Sequence, residues 1–427
     1  MAIEDDVLVV GGGIAGVAAA VSAARTGART RLVSHKTSTL RNASGLIDVL
    51  GYAPDGEGPL VDPLAAVEDL PETHPYSAVG IEAIESGLDL FDGAVGDTYR
   101  GDHTRTNALV PTHGGTVKPT ARYPESVAAG LASRTEDALL VGFETLVDFD
   151  APAAAAHLGN ADVPFGTRGV TVRFPGDLRA DAKVTRYAHL LDRDEDVEFE
   201  GRAMGARTAL AEAVKPYLDG ENRVGFPAVL GDDRPEEVRL LLEAELGADV
   251  FEVPMGPPSL PGLRLEDRLY AAAREAGVRI ETGNPVVGYD ARDGRIERVL
   301  VERTHQRVPY SASEYVLATG GLVGGGIDSD RNSVREPVFE CHVPHPEDRY
   351  GWSAERAFGD HPFARFGVVP DGSLRPTAPD GEAEFENLRA AGAVLGGADF
   401  AAEKSGSGIS LATGVVAGRN AGESVHL

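Results

Sequence analysis

A glycine-rich turn near the beginning of the chain constrains the fold most strongly. The aliphatic residues 7–10 lead directly into three glycines, and Gly11, Gly13 and Gly16 have the spacing G-x-G-x-x-G. An Ala-rich helical segment follows, and residues 30–34 have the composition of a second strand. In such a unit the first glycine permits a tight turn, the second allows a pyrophosphate to approach, and the third lets the helix pack on the strand. The pattern predicts a Rossmann-type nucleotide-binding unit, with a glycine-rich turn in an ordinary βαβ unit as the alternative.

The end of the second predicted strand lacks the acidic residue that usually holds the ribose of an adenine dinucleotide. Ser34 and His35 occupy those positions. Ser34 therefore becomes a cofactor-binding candidate. The missing carboxylate leaves room for the mononucleotide FMN, although it does not decide between FMN and FAD.

Two later glycine turns have the composition of further cofactor contacts. A predicted apolar strand over residues 315–318 is followed by Thr319, Gly320 and Gly321. In many flavoproteins a strand that ends in such a glycine turn makes the second contact with the cofactor, because the glycines allow close approach. Near the end of the chain, a loop with Gly406 and Gly408 precedes a helix predicted from residue 409. Such a helix start can bind an anion or a polar ring atom, and an ordinary helix start is the alternative. Ser44 and Gly45 are further candidates in a polar, glycine-bearing segment, for which a plain surface loop is the alternative, and Gly397 is another candidate near the end of the chain.

Alternating strand and helix patterns between residues 137 and 254 predict a second, smaller α/β domain. We therefore expect residues 1–136 to form the first part of a flavin-binding domain, 137–254 an inserted α/β domain, and 255–427 the second part of the flavin-binding domain. Residues 285–310 alternate around Asp293-Gly294, which predicts a β-hairpin. The predicted fold class is α/β, with a Rossmann-type parallel sheet, a β-meander and the inserted domain.

The composition is strongly acidic. The chain has 67 Asp and Glu residues against 40 Lys and Arg, a net charge of −27, and only five of its basic residues are lysines. This charge argues against nucleic acid or an anionic membrane surface as a direct partner. The acidic composition favours a protein adapted to high salt, and an acidic protein from a mesophilic organism is the alternative.

The salt hypothesis makes a direct prediction. Screening by salt reduces repulsion among the carboxylates, so the urea concentration at the unfolding midpoint should rise as KCl is increased into the molar range. Urea unfolding followed by circular dichroism at several KCl concentrations measures this. A midpoint that stays constant or falls would contradict adaptation to high salt.

Other features narrow the class of protein. The single cysteine, Cys341, cannot form an internal disulfide or ligate an iron–sulfur cluster alone, and no metal-ligand spacing is present. No apolar run approaches the ~20 residues of a membrane span, and the beginning of the sequence lacks a basic and apolar signal pattern. We expect a soluble, cytoplasmic protein without a metal site.

Several longer segments, which follow one another along most of the chain, resemble segments of one protein family. They include ASGLIDVL, VGFETLVDF, PPSLPGLRL, DRNSVREPVF and NLRAAGAVLGGAD. Together with the glycine turns, they resemble the B subunits of anaerobic glycerol-3-phosphate dehydrogenases, which are flavoproteins of the fumarate reductase/succinate dehydrogenase type.

The resemblance implies a non-covalent flavin, described as FMN for the B subunits, with FAD on a partner A subunit. It implies electron flow from glycerol 3-phosphate to a quinone or another acceptor. It also implies an iron–sulfur C subunit, through which this chain would lie peripherally on the inner face of the cell membrane. With the acidic composition, we expect a halophilic archaeon as the source.

Oxidation of a phosphorylated secondary alcohol needs a base for the hydroxyl proton and arginines for the phosphate. The candidates are Arg331, Arg335 and Arg375 for the phosphate and either His342 or His345 as the base. One alternative is a non-catalytic protein that relays electrons or supports assembly while the A subunit performs the chemistry. Another is a flavin oxidoreductase for a different acid or alcohol.

Overall fold

The computed structural model describes residues 3–35, 38–304 and 306–426. The α-helices among these residues are α1 (Ile14–Arg25), α2 (Pro75–Val79), α3 (Ile81–Val95), α4 (Ala151–Gly159), α5 (Val184–Asp192), α6 (Ala206–Val214), α7 (Pro235–Leu246), α8 (Leu260–Glu275), α9 (Phe400–Glu403) and α10 (Gly406–Ser424). The strands are β1 (Ile3–Val10), β2 (Thr30–Ser34), β3 (Tyr99–Arg100), β4 (Ala108–Pro111), β5 (Val117–Thr120), β6 (Tyr123–Pro124), β7 (Ala138–Phe143), β8 (Thr167–Val172), β9 (Asp196–Phe199), β10 (Arg202–Gly205), β11 (Arg223–Pro227), β12 (Asp249–Val253), β13 (Arg279–Thr282), β14 (Val286–Arg292), β15 (Arg295–Arg303), β16 (Gln306–Leu317), β17 (Asp328–Ser329), β18 (Val334–Arg335) and β19 (Leu388–Ala390).

Two compact units share the chain. The first comprises Met1–Thr39, Asp48–Gly96 and Glu266–Leu427, and the second comprises Leu40–Ile47 and Asp97–Leu265. The second unit thus contains residues 137–254 together with residues 40–47, 97–136 and 255–265. The buried Arg223 side chain, for example, donates hydrogen bonds to the carbonyl oxygens of Ala129 and Glu136.

The first unit contains a sheet in which four parallel strands lie side by side. Strand β1 pairs with β2 on one side and with β16 on the other, and β13 extends the parallel order beyond β2. The first part of β16 pairs antiparallel with β15, which pairs with β14, while its end pairs in parallel with β19. The predicted hairpin turn is present at Asp293 and Gly294, whose φ angles are 49° and 74°. The expected parallel sheet with a β-meander is confirmed.

Helix α1 covers this sheet and packs closely on α10. A β-carbon at Gly414 would lie 2.6 Å from the carbonyl oxygen of Ala15, and one at Gly418 would overlap the carbonyl oxygen of Ala19. Because these glycines lack side chains, the two helix backbones approach each other directly. Strand β19 ends at Ala390, and a tight turn follows in which Gly392 has a φ of 78°.

The second unit is built on a four-stranded parallel sheet with the order β12-β11-β7-β8. Its core includes aromatic contacts such as Phe143 with Phe174, whose ring centroids are 4.8 Å apart. It also contains an ion pair in which Arg264, 12% exposed, donates to the fully buried Glu252 carboxylate at 2.7 and 3.0 Å. Strands alternating with helices thus give the second α/β domain expected from the sequence. Across the described ranges of both units, no helix combines the length and the apolar character needed to cross a bilayer.

Candidate functional site

The carboxyl ends of β1, β2 and β16 meet at one edge of the first unit's sheet. The Gly11 N–H donates to the Val33 carbonyl at 2.8 Å, and the Ala318 N–H donates to the Val10 carbonyl at 2.8 Å. The glycine turn after β1 and the Thr319 turn after β16 therefore lie beside each other. In sheets of this type, ligands bind outside the carboxyl ends of the parallel strands.

Glycine is required at two positions of the first turn, for a different structural reason at each. Gly11 has a φ of 124°, and a β-carbon there would overlap the Ala318 carbonyl oxygen. A β-carbon at Gly16 would overlap the Gly11 carbonyl oxygen, so α1 could not pack against the turn. Both positions require glycine because the chain itself fills the space.

Gly13 differs from its neighbours because open space lies in front of it. It is the residue that caps the beginning of α1, with an ordinary φ of −77°. Apart from its chain neighbours, no atom of the described residues lies within 4 Å of the position that its β-carbon would take. The backbone N–H groups of the first helical turn lack partners within the helix and lie at the positive end of its dipole. This space suits a pyrophosphate group.

Hydroxyl groups stand beside the glycine turn where an acidic residue would usually lie. A β-carbon on Gly12 would lie 2.5 Å from the Tyr270 hydroxyl oxygen and 3.0 Å from Ser34 Oγ. The Tyr270 hydroxyl donates to the Gly12 carbonyl oxygen at 3.0 Å. The structure thus places Ser34 beside the turn together with Tyr270, which the sequence pattern does not reveal, and a role of Ser34 in cofactor binding stays a prediction.

The turn after β16 presents a buried hydroxyl group. Thr319 Oγ1 is buried and makes no hydrogen bond within the described part of the chain. Gly320 has a φ of 88°, and a β-carbon at Gly321 would lie 2.8 Å from the Ala393 carbonyl oxygen. Leaving a buried hydroxyl unsatisfied costs free energy, and a polar group of a bound cofactor would satisfy it. The open space at Gly13 and this hydroxyl both fit a flavin nucleotide.

Ser44 and Gly45 belong to the second unit. The Tyr99 hydroxyl donates to the Gly45 carbonyl at 2.8 Å, and Ser44 Oγ accepts the Leu46 N–H at 3.4 Å. These contacts explain their local conformation within that unit. Their roles in cofactor binding stay predictions.

The remaining glycine candidates occupy close packing positions in the first unit. Gly397 has a φ of 96°, and a β-carbon there would overlap the Thr73 carbonyl oxygen. Gly408 lies against the Tyr76 hydroxyl. Gly406 is the first residue of α10, which begins three residues earlier than the predicted start at 409. Packing accounts for the glycines at 397 and 408, and cofactor contacts at all three stay predictions.

A buried polar network fixes the chain just before α10. The Glu403 carboxylate accepts hydrogen bonds from the His74 imidazole at 3.2 Å, the Ser405 hydroxyl at 3.0 Å and the Asp399 N–H at 2.9 Å. His74 Nδ1 accepts the Tyr76 N–H at 3.1 Å, which leaves the proton on Nε2. Burial disfavours the Glu403 charge, but these hydrogen bonds outweigh it and lower its pKa.

A cavity of about 530 Å³ lies along the segment that leaves the Thr319 turn. The first of its lining residues in the sequence is Leu322, which directly follows Gly321. Two arginines and three aromatic side chains contribute to the wall. Its lining residues are Leu322, Ser329, Asp330, Arg331, Val334, Arg349, Trp352, Ser353, Phe363 and Phe366.

The three candidate phosphate-binding arginines have different surroundings. Arg331 lines this cavity. Arg335 pairs with Asp328 at 3.0 Å and Arg375 pairs with Asp371 at 2.8 Å. Arg331 is in no ion pair with the described residues, so it is the candidate whose guanidinium is available to a ligand.

The two candidate bases also differ. His345 Nδ1 lies 2.6 Å from the Val343 carbonyl oxygen, and its Nε2 accepts the Val334 N–H at 3.3 Å. Both of its nitrogens therefore bond to the backbone. The half-buried His342 is held through its backbone N–H, which donates to Glu384 at 2.7 Å. Its imidazole has no hydrogen bond to any described residue, so it is the better candidate for a base.

Titratable groups near these histidines have perturbed pKa values. Burial raises the pKa of Glu336 to about 6, against the opposing effect of hydrogen bonds from the Val338 and Phe339 N–H groups. Burial also raises the pKa of the Cys341 thiol, which is therefore protonated at neutral pH. Among the residues placed by the structure, no cluster of three or more His, Cys, Asp or Glu side chains could hold a metal ion.

Comparison of the sequence with those of known proteins identifies the family to which this chain belongs. Residues 6–409 match the family model described as FAD binding domain. The chain is 62% identical over 426 residues to the probable anaerobic glycerol-3-phosphate dehydrogenase B subunit of Halobacterium salinarum, covering 100% of both chains. It is 31% identical to the anaerobic glycerol-3-phosphate dehydrogenase B subunit of Pectobacterium atrosepticum, covering 95% of this chain and 96% of the relative. The Vibrio cholerae relative of the same name is 30% identical, with 96% and 94% covered.

These matches confirm the resemblance and fit the expected halophilic archaeal source. The family description names FAD, so the expectation of FMN as the main cofactor finds no support there. The chain belongs to the FAD-binding-domain flavoproteins and, within them, to the family of anaerobic glycerol-3-phosphate dehydrogenase B subunits.

Proposed function

We propose that this chain binds FAD and oxidises sn-glycerol 3-phosphate to dihydroxyacetone phosphate as the B subunit of a multi-protein dehydrogenase. Electrons would pass to a quinone or another respiratory acceptor. The observation that carries the proposal is the strand edge where the Gly11–Gly16 turn and the Thr319 turn lie side by side. The full-length similarity to relatives named as B subunits supports the choice of substrate.

The residues at the strand edge have distinct roles in this proposal. The first turn of α1 binds the pyrophosphate through its N–H groups, with Gly13 providing the space. Thr319 Oγ1 donates to a polar cofactor atom, and Ser34 and Tyr270 supply hydroxyls near the ribose in place of a carboxylate. The bound flavin supplies the acceptor for the hydride that leaves the carbinol carbon.

The chain's other residues would handle the proton and the phosphate. Arg331 binds phosphate oxygens through its guanidinium. His342 accepts the hydroxyl proton, while His345 positions the backbone of residues 334 and 343.

The function is tested by adding sn-glycerol 3-phosphate to the purified, flavin-loaded chain without oxygen. We expect bleaching of the flavin absorbance, which unphosphorylated glycerol should not cause. If the isolated chain is not reduced but its complex with the A subunit is, this chain relays electrons and its catalytic role is wrong. If neither is reduced but another acid or alcohol bleaches the flavin, the substrate is wrong.

Replacing His342 with glutamine should lower kcat by about 100-fold or more, because positioned proton transfer contributes at least that factor. Anaerobic stopped-flow reduction of the flavin measures the rate. His345→Gln is the matched control, since it alters a histidine on the same segment and should reduce thermal stability more than kcat. Equal loss of rate in both variants, or no loss in His342→Gln, would contradict the assignment.

The family name also implies other subunits. We propose two partners, the A subunit together with an iron–sulfur C subunit, and any membrane association would occur through them. Co-purification from the native source, followed by mass spectrometry, tests this arrangement. Recovery of the chain without such partners would contradict it.

A further inference from the structure

We propose that Arg349 joins Arg331 in binding the phosphate of the substrate inside the cavity of about 530 Å³. The inference rests on the proposed function and adds a second phosphate-binding residue, which no sequence motif indicates. It makes the cavity specific for small phosphomonoesters.

The first support is the pairing of the arginines in this region. Arg335, Arg365 and Arg375 each pair with an aspartate, at 3.0, 2.5 and 2.8 Å. Arg331 and Arg349 line the cavity and pair with no carboxylate of the described residues. In a chain with 67 acidic residues, two unpaired arginines on one cavity wall are available to an anionic ligand.

The charge of the cavity wall also suits a phosphomonoester. Asp330 is the acidic residue of the wall, and its Oδ1 accepts the N–H groups of Asn332 at 2.7 Å and Ser333 at 3.0 Å. These backbone hydrogen bonds lower its pKa, so it is charged at neutral pH. With two guanidinium groups the wall carries a net positive charge, and guanidinium groups bind phosphate oxygens in a forked geometry.

Arg349 is held at the wall by its local structure. It begins a short 3-10 turn, Arg349–Trp352, in which Asp348 caps the Tyr350 N–H at 3.0 Å. The Asp348 carboxylate is therefore engaged with the backbone. The Arg349 guanidinium lies 5.6 Å from the centre of the Tyr350 ring, so its contact is aromatic rather than ionic.

The cavity contains its own spectroscopic reporter. Trp352 is the single tryptophan of the chain and lines the cavity. It is half-buried, its indole N–H donates to the Pro346 carbonyl at 2.8 Å, and its ring lies edge-on to Phe366 with centroids 6.2 Å apart. A phosphate bound between the arginines should change its emission.

The test is a titration of the flavin-loaded chain with sn-glycerol 3-phosphate at constant KCl, followed by tryptophan emission. We expect a saturable change, competition by inorganic phosphate, and no change with unphosphorylated glycerol. Arg349→Met and Arg331→Met should each weaken binding by about tenfold or more, because each removes charge-assisted hydrogen bonds.

Arg356→Met is the matched control. Arg356 is exposed on the same segment and does not line the cavity, so its replacement should leave binding unchanged. Equal weakening in Arg356→Met would show a general charge effect and overturn the inference, as would unchanged binding in Arg349→Met. A tryptophan response without flavin reduction would uphold this site while refuting the proposed reaction. Flavin reduction that is unaffected in Arg349→Met would uphold the reaction and refute the site.

Discussion

Replacing Gly13 with alanine should weaken flavin binding by about tenfold or more while leaving the unfolding of the flavin-free chain nearly unchanged. The open space at Gly13 means that the added methyl group meets no atom of the described residues beyond its chain neighbours. It would, however, enter the space that the pyrophosphate needs for close approach to the backbone. The flavin affinity is measured by fluorescence quenching during titration of the flavin-free chain, and stability by urea unfolding.

Gly93→Ala is the control for this variant. Gly93 is exposed in α3, and apart from its chain neighbours and the adjacent backbone of its own helix, no described atom lies within 4 Å of its β-carbon position. Alanine there should stabilise the helix slightly and leave flavin affinity unchanged. Wild-type affinity in Gly13→Ala would refute the assignment of the pyrophosphate site to the beginning of α1.

Replacing Glu252 with alanine should destabilise the second unit by about 3–5 kcal/mol. The Glu252 side chain is fully buried and that of its partner Arg264 is only 12% exposed, and Glu252 also accepts the Leu230 N–H at 2.8 Å and the Ser126 hydroxyl at 2.7 Å. Removing the carboxylate leaves the Arg264 charge buried without its counter-charge. The free energy of unfolding, from urea titration at fixed KCl, measures the effect.

Two further variants distinguish burial from simple charge loss. Glu386→Ala breaks the exposed Arg295–Glu386 pair, whose side chains are 50% and 63% exposed, and should cost at most about 1 kcal/mol. Combining Glu252→Leu with Arg264→Met removes both buried charges and should recover much of the lost stability. A Glu252→Ala cost no larger than that of Glu386→Ala would contradict this explanation.

The same pair predicts a dependence on pH. Burial opposes the Glu252 charge, but Arg264 and the hydrogen bonds outweigh it and hold the pKa of Glu252 below its usual value. Its stabilising contribution is therefore full above the unfolded pKa of about 4.3 and is lost as pH falls through the lower folded value.

The sequence predicts the conformation of the Gly11–Gly16 turn well because its determinants are local. Gly11 and Gly16 meet within one strand-turn-helix unit, so their spacing alone carries the geometry. The hairpin at Asp293-Gly294 is predictable for the same reason, since both residues adopt the left-handed conformation that this turn requires.

Contacts between distant parts of the chain are not predictable in this way. Tyr270 reaches Gly12 across 258 residues, and His74 reaches Glu403 across 329. Glycine alone also does not distinguish cofactor contact from packing, as Gly408 against Tyr76 illustrates. Arg349 carries no motif, and only the cavity relates it to Arg331.

The central claim is that this chain itself holds a flavin at the edge formed by β1, β2 and β16. The most direct measurement is mass spectrometry of the cofactor released by heat from the folded chain purified in high KCl, together with its molar ratio to protein. We predict FAD at about one per chain. Release of FMN would contradict the proposed cofactor, and a folded chain that carries no flavin and takes up neither FAD nor FMN would contradict the claim itself.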